Sequence, residues 1–170
     1  MQLAILKLLS ALLIGFACWH VSAEESPIIA VIISSDSQVA PHHAIAPNEL
    51  NLIYWRKKQY LEGGERIYPA NLHAENPLRV IFSKAVLDSL PQEQTDYWNG
   101  LYFHGISPPR SLLTEEAVKR YVAETKGSIG YINACNIDAR VKPIFWISNN
   151  HIHTTTPENL NCSLSNANSN

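Results

Sequence analysis

The chain has 170 residues, of which 13 are Lys or Arg and 15 are Asp or Glu, for a formal net charge of −2. That balance excludes nucleic acid as the natural partner, which calls for a clear basic excess. Apolar side chains make up 46% of the residues, enough to build a real core.

The first 23 residues read as an export signal. Lys7 supplies a weakly basic start, an apolar run extends from Leu8 to Cys18, and Val21-Ser22-Ala23 offers small residues for cleavage. The run is shorter than the ~20 residues that span a bilayer. A lipidated Cys18 is the alternative, but Gly15 stands where a Leu-like residue is expected. Removal of residues 1–23 leaves 147 residues, the size of one domain, with a net charge of −3 because Lys7 leaves with the signal. The expected location is the periplasm. No later apolar run reaches membrane-spanning length.

Residues 24–148 carry the folded domain. Pro27 to Ile33 is a continuous β-branched run, as in a strand buried on both faces. Ser34-Ser35-Asp36-Ser37 ends it with turn chemistry. Pro47 opens a short helix in which Leu50, Ile53 and Tyr54 share one face, with Ala46 as a poor cap. Gly63-Gly64 is a turn, and 66–72 reads as a strand in which Pro69 predicts an edge or irregular position.

The next helix is the clearest. Asn76 is its N-cap and Pro77 its first residue, and Leu78, Ile81, Phe82, Ala85 and Val86 follow at helical spacing. Ser89 and Gln92 have capping-box spacing for a third helix with Tyr97, Trp98, Leu101 and Tyr102 on its apolar side. These aromatics, with Phe103, are read mainly as core. Thr114 caps a fourth helix that turns Val118, Tyr121, Val122 and Thr125 inward and stops at Gly127. Strands are predicted over 129–133 and 141–147. The order β-α-β-α-α-α-β-β implies an α/β fold, a mixed and mostly parallel sheet flanked by helices. Residues 149–170, rich in Asn, Thr and Ser, read as a polar tail.

Cys135 and Cys162 are the two cysteines outside the signal. In an oxidising compartment the simplest reading is one disulfide pinning the tail, with two free thiols as the alternative. His42-His43 and His151-x-His153 lie in loop or tail without acidic or Cys neighbours, so no metal or other cofactor is expected. Arg56-Lys57-Lys58 reads as a solvated helix end. No Gly-x-Ser-x-Gly, HExxH or phosphate-binding Gly-rich loop is present, and no enzyme is expected.

Several pieces in order resemble the phosphate-type periplasmic binding proteins, the substrate receptors of ABC importers, and most closely their short single-domain relatives. They are Ile28-Ile29-Ala30-Val31-Ile32, Asn48-Glu49-Leu50 with Ile53-Tyr54, Arg66-Ile67-Tyr68-Pro69, Arg79-Val80-Ile81-Phe82, Tyr97-Trp98, Phe103-His104-Gly105 and Lys126-Gly127-Ser128-Ile129-Gly130-Tyr131-Ile132. The resemblance implies one receptor lobe and a phosphate-like oxyanion as ligand, in uptake or sensing. In the full-length receptors the anion sits at a helix start carrying Ser-Gly-Thr, where amides and the helix dipole meet it. This chain has Asn76-Pro77-Leu78 there, losing an N–H at Pro77 and a hydroxyl at Leu78. Arg56 also stands where the relatives often carry Gly. The candidate ligand residues are Ser34, Ser35, Ser37, Asn76, Leu78, Arg79 and Arg110. One lobe leaves a ligand half exposed, so weak binding, or help from a periplasmic or membrane protein partner, is expected. The competing expectation is an interaction module that kept the lobe and lost the ligand.

Overall fold

The computed structural model describes residues 26–37 and 45–162. The expected export signal (residues 1–23), Cys18 and His42-His43 lie outside them. Six strands form one sheet in the order β3-β2-β4-β1-β5-β6. They are β1 (Ile29–Ser34), β2 (Tyr68–Leu72), β3 (Arg110–Leu112), β4 (Ser128–Asn133), β5 (Val141–Ser148) and β6 (His151–His153). The helices are α1 (Glu49–Tyr54), α2 (Pro77–Phe82), α3 (Thr95–Tyr102) and α4 (Glu115–Glu124). The mixed α/β sheet flanked by helices is therefore present. Its parallel part is confined to one side: β2 runs parallel to β3 and β4, whereas β1–β4, β1–β5 and β5–β6 are antiparallel.

The apolar run of β1 follows from its central place. Ile29, Ala30, Val31 and Ile32 are fully buried between β4 and β5, so neither face can be polar. Pro69 is not on an edge. It sits where β2 stops pairing with β4 and begins pairing with β3 at Ala70, a handover that tolerates a missing donor.

The start of α4 matches its sequence signal, with the Thr114 hydroxyl accepting from the Ala117 amide at 3.1 Å. Two glycines then fit α4 to the sheet. Gly127 has φ +76, and a Cβ there would stand 2.2 Å from the Arg66 carbonyl oxygen. A Cβ on Gly130 would stand 2.6 Å from Val118 and 3.0 Å from Val122, so its role is to seat the helix rather than neighbouring strands.

Other expectations shift. The helical stretch after Phe82 widens into a π turn over Ser83–Leu87 and ends at Asp88 with φ 49. The cap before α3 is one residue later than Ser89-Gln92 and one-sided: the Glu93 carboxylate accepts from the Leu90 amide at 2.7 Å. No residue of α3 is buried. Tyr97 and Trp98 pack on Trp55 at ring distances of 4.5 and 5.8 Å, while Tyr102 and Phe103 are 72% and 86% exposed. The polar segment from 149 begins as part of the sheet. Asn149 and Asn150, both at positive φ, make the two-residue turn that returns β6 along β5. Farther on, Cys162 is disulfide-bonded to Cys135, with Cα atoms 5.2 Å apart. Among the described residues no helix is long and apolar enough to cross a membrane.

Candidate functional site

The sheet directions decide which candidate residues can meet. β1 is antiparallel to β4 and β2 is parallel to it, so β1 and β2 end at opposite edges of the sheet. Ser34 ends β1 and Ser35 and Ser37 follow it, whereas Asn76, Leu78 and Arg79 follow β2. The two groups are about a strand length apart, roughly 17 Å. Arg110 opens the edge strand β3 opposite Ala70. The seven residues predicted as one ligand set therefore lie in three places.

The serine end offers little to an anion. The Ser35 hydroxyl donates to the Ala139 carbonyl at 2.7 Å, and the Ser34 hydroxyl accepts from the Asp36 amide. Ser34 and Ser37 line a cavity of about 640 Å³ with Ile33, Ile67, Ile129 and Ile144. Its ionisable lining is Asp36, Glu65, Glu124 and Lys126, an acidic balance that repels anions.

The α2 start is different. Asn76 is extended at φ −67 and ψ 130, and its side-chain oxygen accepts from the Leu78 amide at 2.9 Å. Pro77 brings no donor. One residue on, Arg79 is only 7% exposed. Its Nη2 donates to Gln94 Oε1 at 3.0 Å, and Gln94 Nε2 donates to the Ser89 carbonyl at 3.0 Å. Arg79 Nη1 and the nearby helix residue's Ser83 Oγ are buried without a hydrogen-bond partner. None of the ion pairs among the described residues involves Arg79.

Tyrosines surround this cation. Tyr131 stacks on Phe82 at 3.9 Å between ring centres, donates to Asn71 Oδ1 at 3.3 Å and accepts from the Leu72 amide at 3.2 Å. Burial pushes its phenol up to about 12, with Arg79 opposing. Burial, and then Tyr131, raise Tyr54 well above its ordinary value, again against Arg79. The α2 start thus holds a buried positive charge supported by neutral dipoles rather than a carboxylate. Gln94, Tyr131, Asn71 and Tyr54 are absent from the sequence-based set. The available signal was that a core tyrosine needs a partner for its hydroxyl.

The described histidines do not gather. His151 and His153 sit on β6, with His153 Nε2 3.1 Å from the Ser148 hydroxyl, and the described residues contain no group of three metal-binding side chains.

Solved structures share this architecture. An ABC-type phosphate transport receptor from Vibrio cholerae superposes with a TM-score of 0.55 at 15% identity, over 70% of this chain and 46% of its own. A candidate phosphate ABC transporter substrate-binding protein from Clostridium perfringens, solved with bound phosphate, gives 0.53 at 16% identity, over 70% and 45%. The chain shares the fold of part of these proteins. A possible phosphate binding protein from Planctomyces limnophilus gives 0.51 at 16% identity, over 71% of this chain and 42% of that one. The chain spans less than half the length of each of these structures. No family model matches the chain, and no curated protein does. These identities speak for the lobe and not for its ligand.

Proposed function

We propose that this protein is a periplasmic receptor-type lobe, not an enzyme, that holds a phosphate-like oxyanion weakly at the start of α2, in the service of uptake or sensing. The observation that carries the reading is Arg79. A guanidinium taken out of water normally acquires a carboxylate, because an unpaired buried charge is expensive. Here it keeps its charge within the first turn of α2, with one nitrogen unsatisfied and only amide and phenol dipoles beside it. An anion at that turn would supply the missing countercharge, helped by the positive end of the helix. Asn76 already uses its side chain on Leu78, and Pro77 lacks an amide hydrogen, so few direct contacts remain. Weak rather than tight binding follows.

The test is a titration of the purified mature protein with inorganic phosphate, read as thermal stability. A ligand at 100 times its Kd stabilises by about 2.7 kcal/mol. The expected result is a saturable rise in Tm with millimolar phosphate that Arg79→Met removes. No rise in the wild-type protein overturns the proposal. A rise that survives Arg79→Met shows that the site is elsewhere.

A second reading rests on its own observation. Tyr102 and Phe103 stand 72% and 86% exposed at the end of α3, and Leu113 is 77% exposed. Aromatic side chains in such positions are enriched in protein interfaces. A lobe that met a partner protein there would serve without binding a solute. A flat phosphate titration combined with a cross-link in the periplasm that Phe103→Ser abolishes would favour it.

A further inference from the structure

Away from the α2 start, three arginines gather on the α4 side of the sheet. Arg66 lies over the Tyr68 ring at 5.6 Å and Arg110 over the Tyr121 ring at 5.3 Å. Arg56 lies close enough to Arg66 for the two charges to disfavour each other, and it also feels Tyr121, Tyr60 and Tyr68. Tyr121 in turn feels Arg110, Tyr68 and Arg56. One continuous patch therefore links the end of α1, the start of β2, the edge strand β3 and α4.

None of the ion pairs among the described residues involves Arg56, Arg66 or Arg110, and the neighbouring Glu65 faces Lys126 at 3.9 Å. This is unexpected in a chain of net charge −2. Arg56 is held in place at a conformational cost. Its φ is 59, a left-handed backbone that a side chain adopts reluctantly. Its Nη1 donates to the Ile67 carbonyl at 3.1 Å and its Nη2 to Gln59 Oε1 at 3.2 Å, while Nε is buried without a partner.

We propose that this surface receives an extended acidic segment of a partner protein. The arginines lie on separate elements, and Arg66, Arg110, Tyr60 and Tyr68 are exposed, which suits a ligand laid along a surface. Guanidinium groups match carboxylates bidentately. The patch also borders the last strand of the sheet. Among the described residues β3 pairs only with β2, so its outer edge offers backbone groups to a segment that would run past Arg110. This site is separate from the α2 start and does not depend on phosphate binding there.

The experiment uses the full mature chain and a fluorescein-labelled peptide of alternating Glu and Val, read by fluorescence anisotropy at low and physiological salt. Saturable binding is expected, weakened by salt. Arg66→Gln and Arg110→Gln should each weaken it up to roughly fivefold, as loss of one solvent-exposed ion pair implies. Lys84→Gln removes an equal charge elsewhere on the surface and should change it less than about twofold. Equal melting temperatures for the variants establish that the fold is kept. The proposal is overturned if the peptide fails to bind at low salt, if Lys84→Gln weakens binding as much, or if the matching Gln-Val peptide binds equally. Displacement by millimolar inorganic phosphate at matched ionic strength would also overturn it, because it would assign the patch to small anions.

Discussion

Replacing Gly127 by Ala tests how α4 is joined to the sheet. Two costs are superposed at this residue. The backbone has φ +76, where any L side chain is strained by roughly 1–2 kcal/mol. The added Cβ would also lie 2.2 Å from the Arg66 carbonyl oxygen, a backbone atom that cannot swing aside. Forcing extra volume into such a contact costs about 1–3 kcal/mol more. It would also disturb the bond from the Tyr68 amide to the Gly127 carbonyl, 3.0 Å long, just where β2 meets β4. Gly64 isolates the first cost, since its φ is +79 and nothing lies within 4 Å of a built Cβ. Gly64→Ala should lose about 1–2 kcal/mol, and Gly127→Ala about 2–5 kcal/mol. Urea denaturation of both variants beside the wild type, at constant m, measures the difference. Losses equal to within about 0.5 kcal/mol would refute the reasoning, because the close approach to Arg66 would then contribute nothing.

Two further outcomes are expected. Cys162→Ser opens a loop spanning 27 positions, so stability should fall by roughly 3–4 kcal/mol on the loop-entropy estimate, and reductant should lower the wild-type Tm toward that of the variant; an unchanged Tm would show that the link adds no stability. At high pH, Tyr131 should act as a proton-linked weak point. Its folded value of about 12 lies above the ordinary 10, so its contribution is intact below pH 10 and is lost as pH rises toward 12, to the extent of about 2–3 kcal/mol. Tyr131→Phe should flatten the alkaline fall in the urea midpoint, and an unaltered slope would contradict the assignment.

The elements whose cues are local were readable from the residues. Asn76-Pro77 and Thr114 mark helix starts through short-range bonds, and the β-branched run of β1 reflects burial on both faces. Strand direction was less readable. The antiparallel pairing of β1 with β4 and β5 joins residues about a hundred positions apart, and no local pattern encodes it. That one feature places the serines and Asn76 at opposite ends of the sheet. The aromatics of α3 misled for a related reason: periodicity shows that a helix has an apolar side but not that the fold covers it, and Tyr102 lies open. The Asn149-Asn150 hairpin was legible in principle, since two residues tolerant of positive φ are what a tight turn requires. Its polar surroundings hid it. The Arg79 shell was not legible, because Gln94, Tyr131 and Asn71 come from distant segments.

The sheet order also constrains the timing of assembly. β1 comes first among the described strands, yet its two neighbours, β4 and β5, come from the far end of the domain. β1 has no native mate until β4 (Ser128–Asn133) is in place, and its other side stays open until β5 (Val141–Ser148) joins. Closing so large a loop slows the search, and an unmatched hydrophobic strand is open to wrong pairings meanwhile. A folding chain of this architecture is therefore most vulnerable to aggregation before β4 and β5 have docked, and a chaperone that shields β1 would do the most good in that interval.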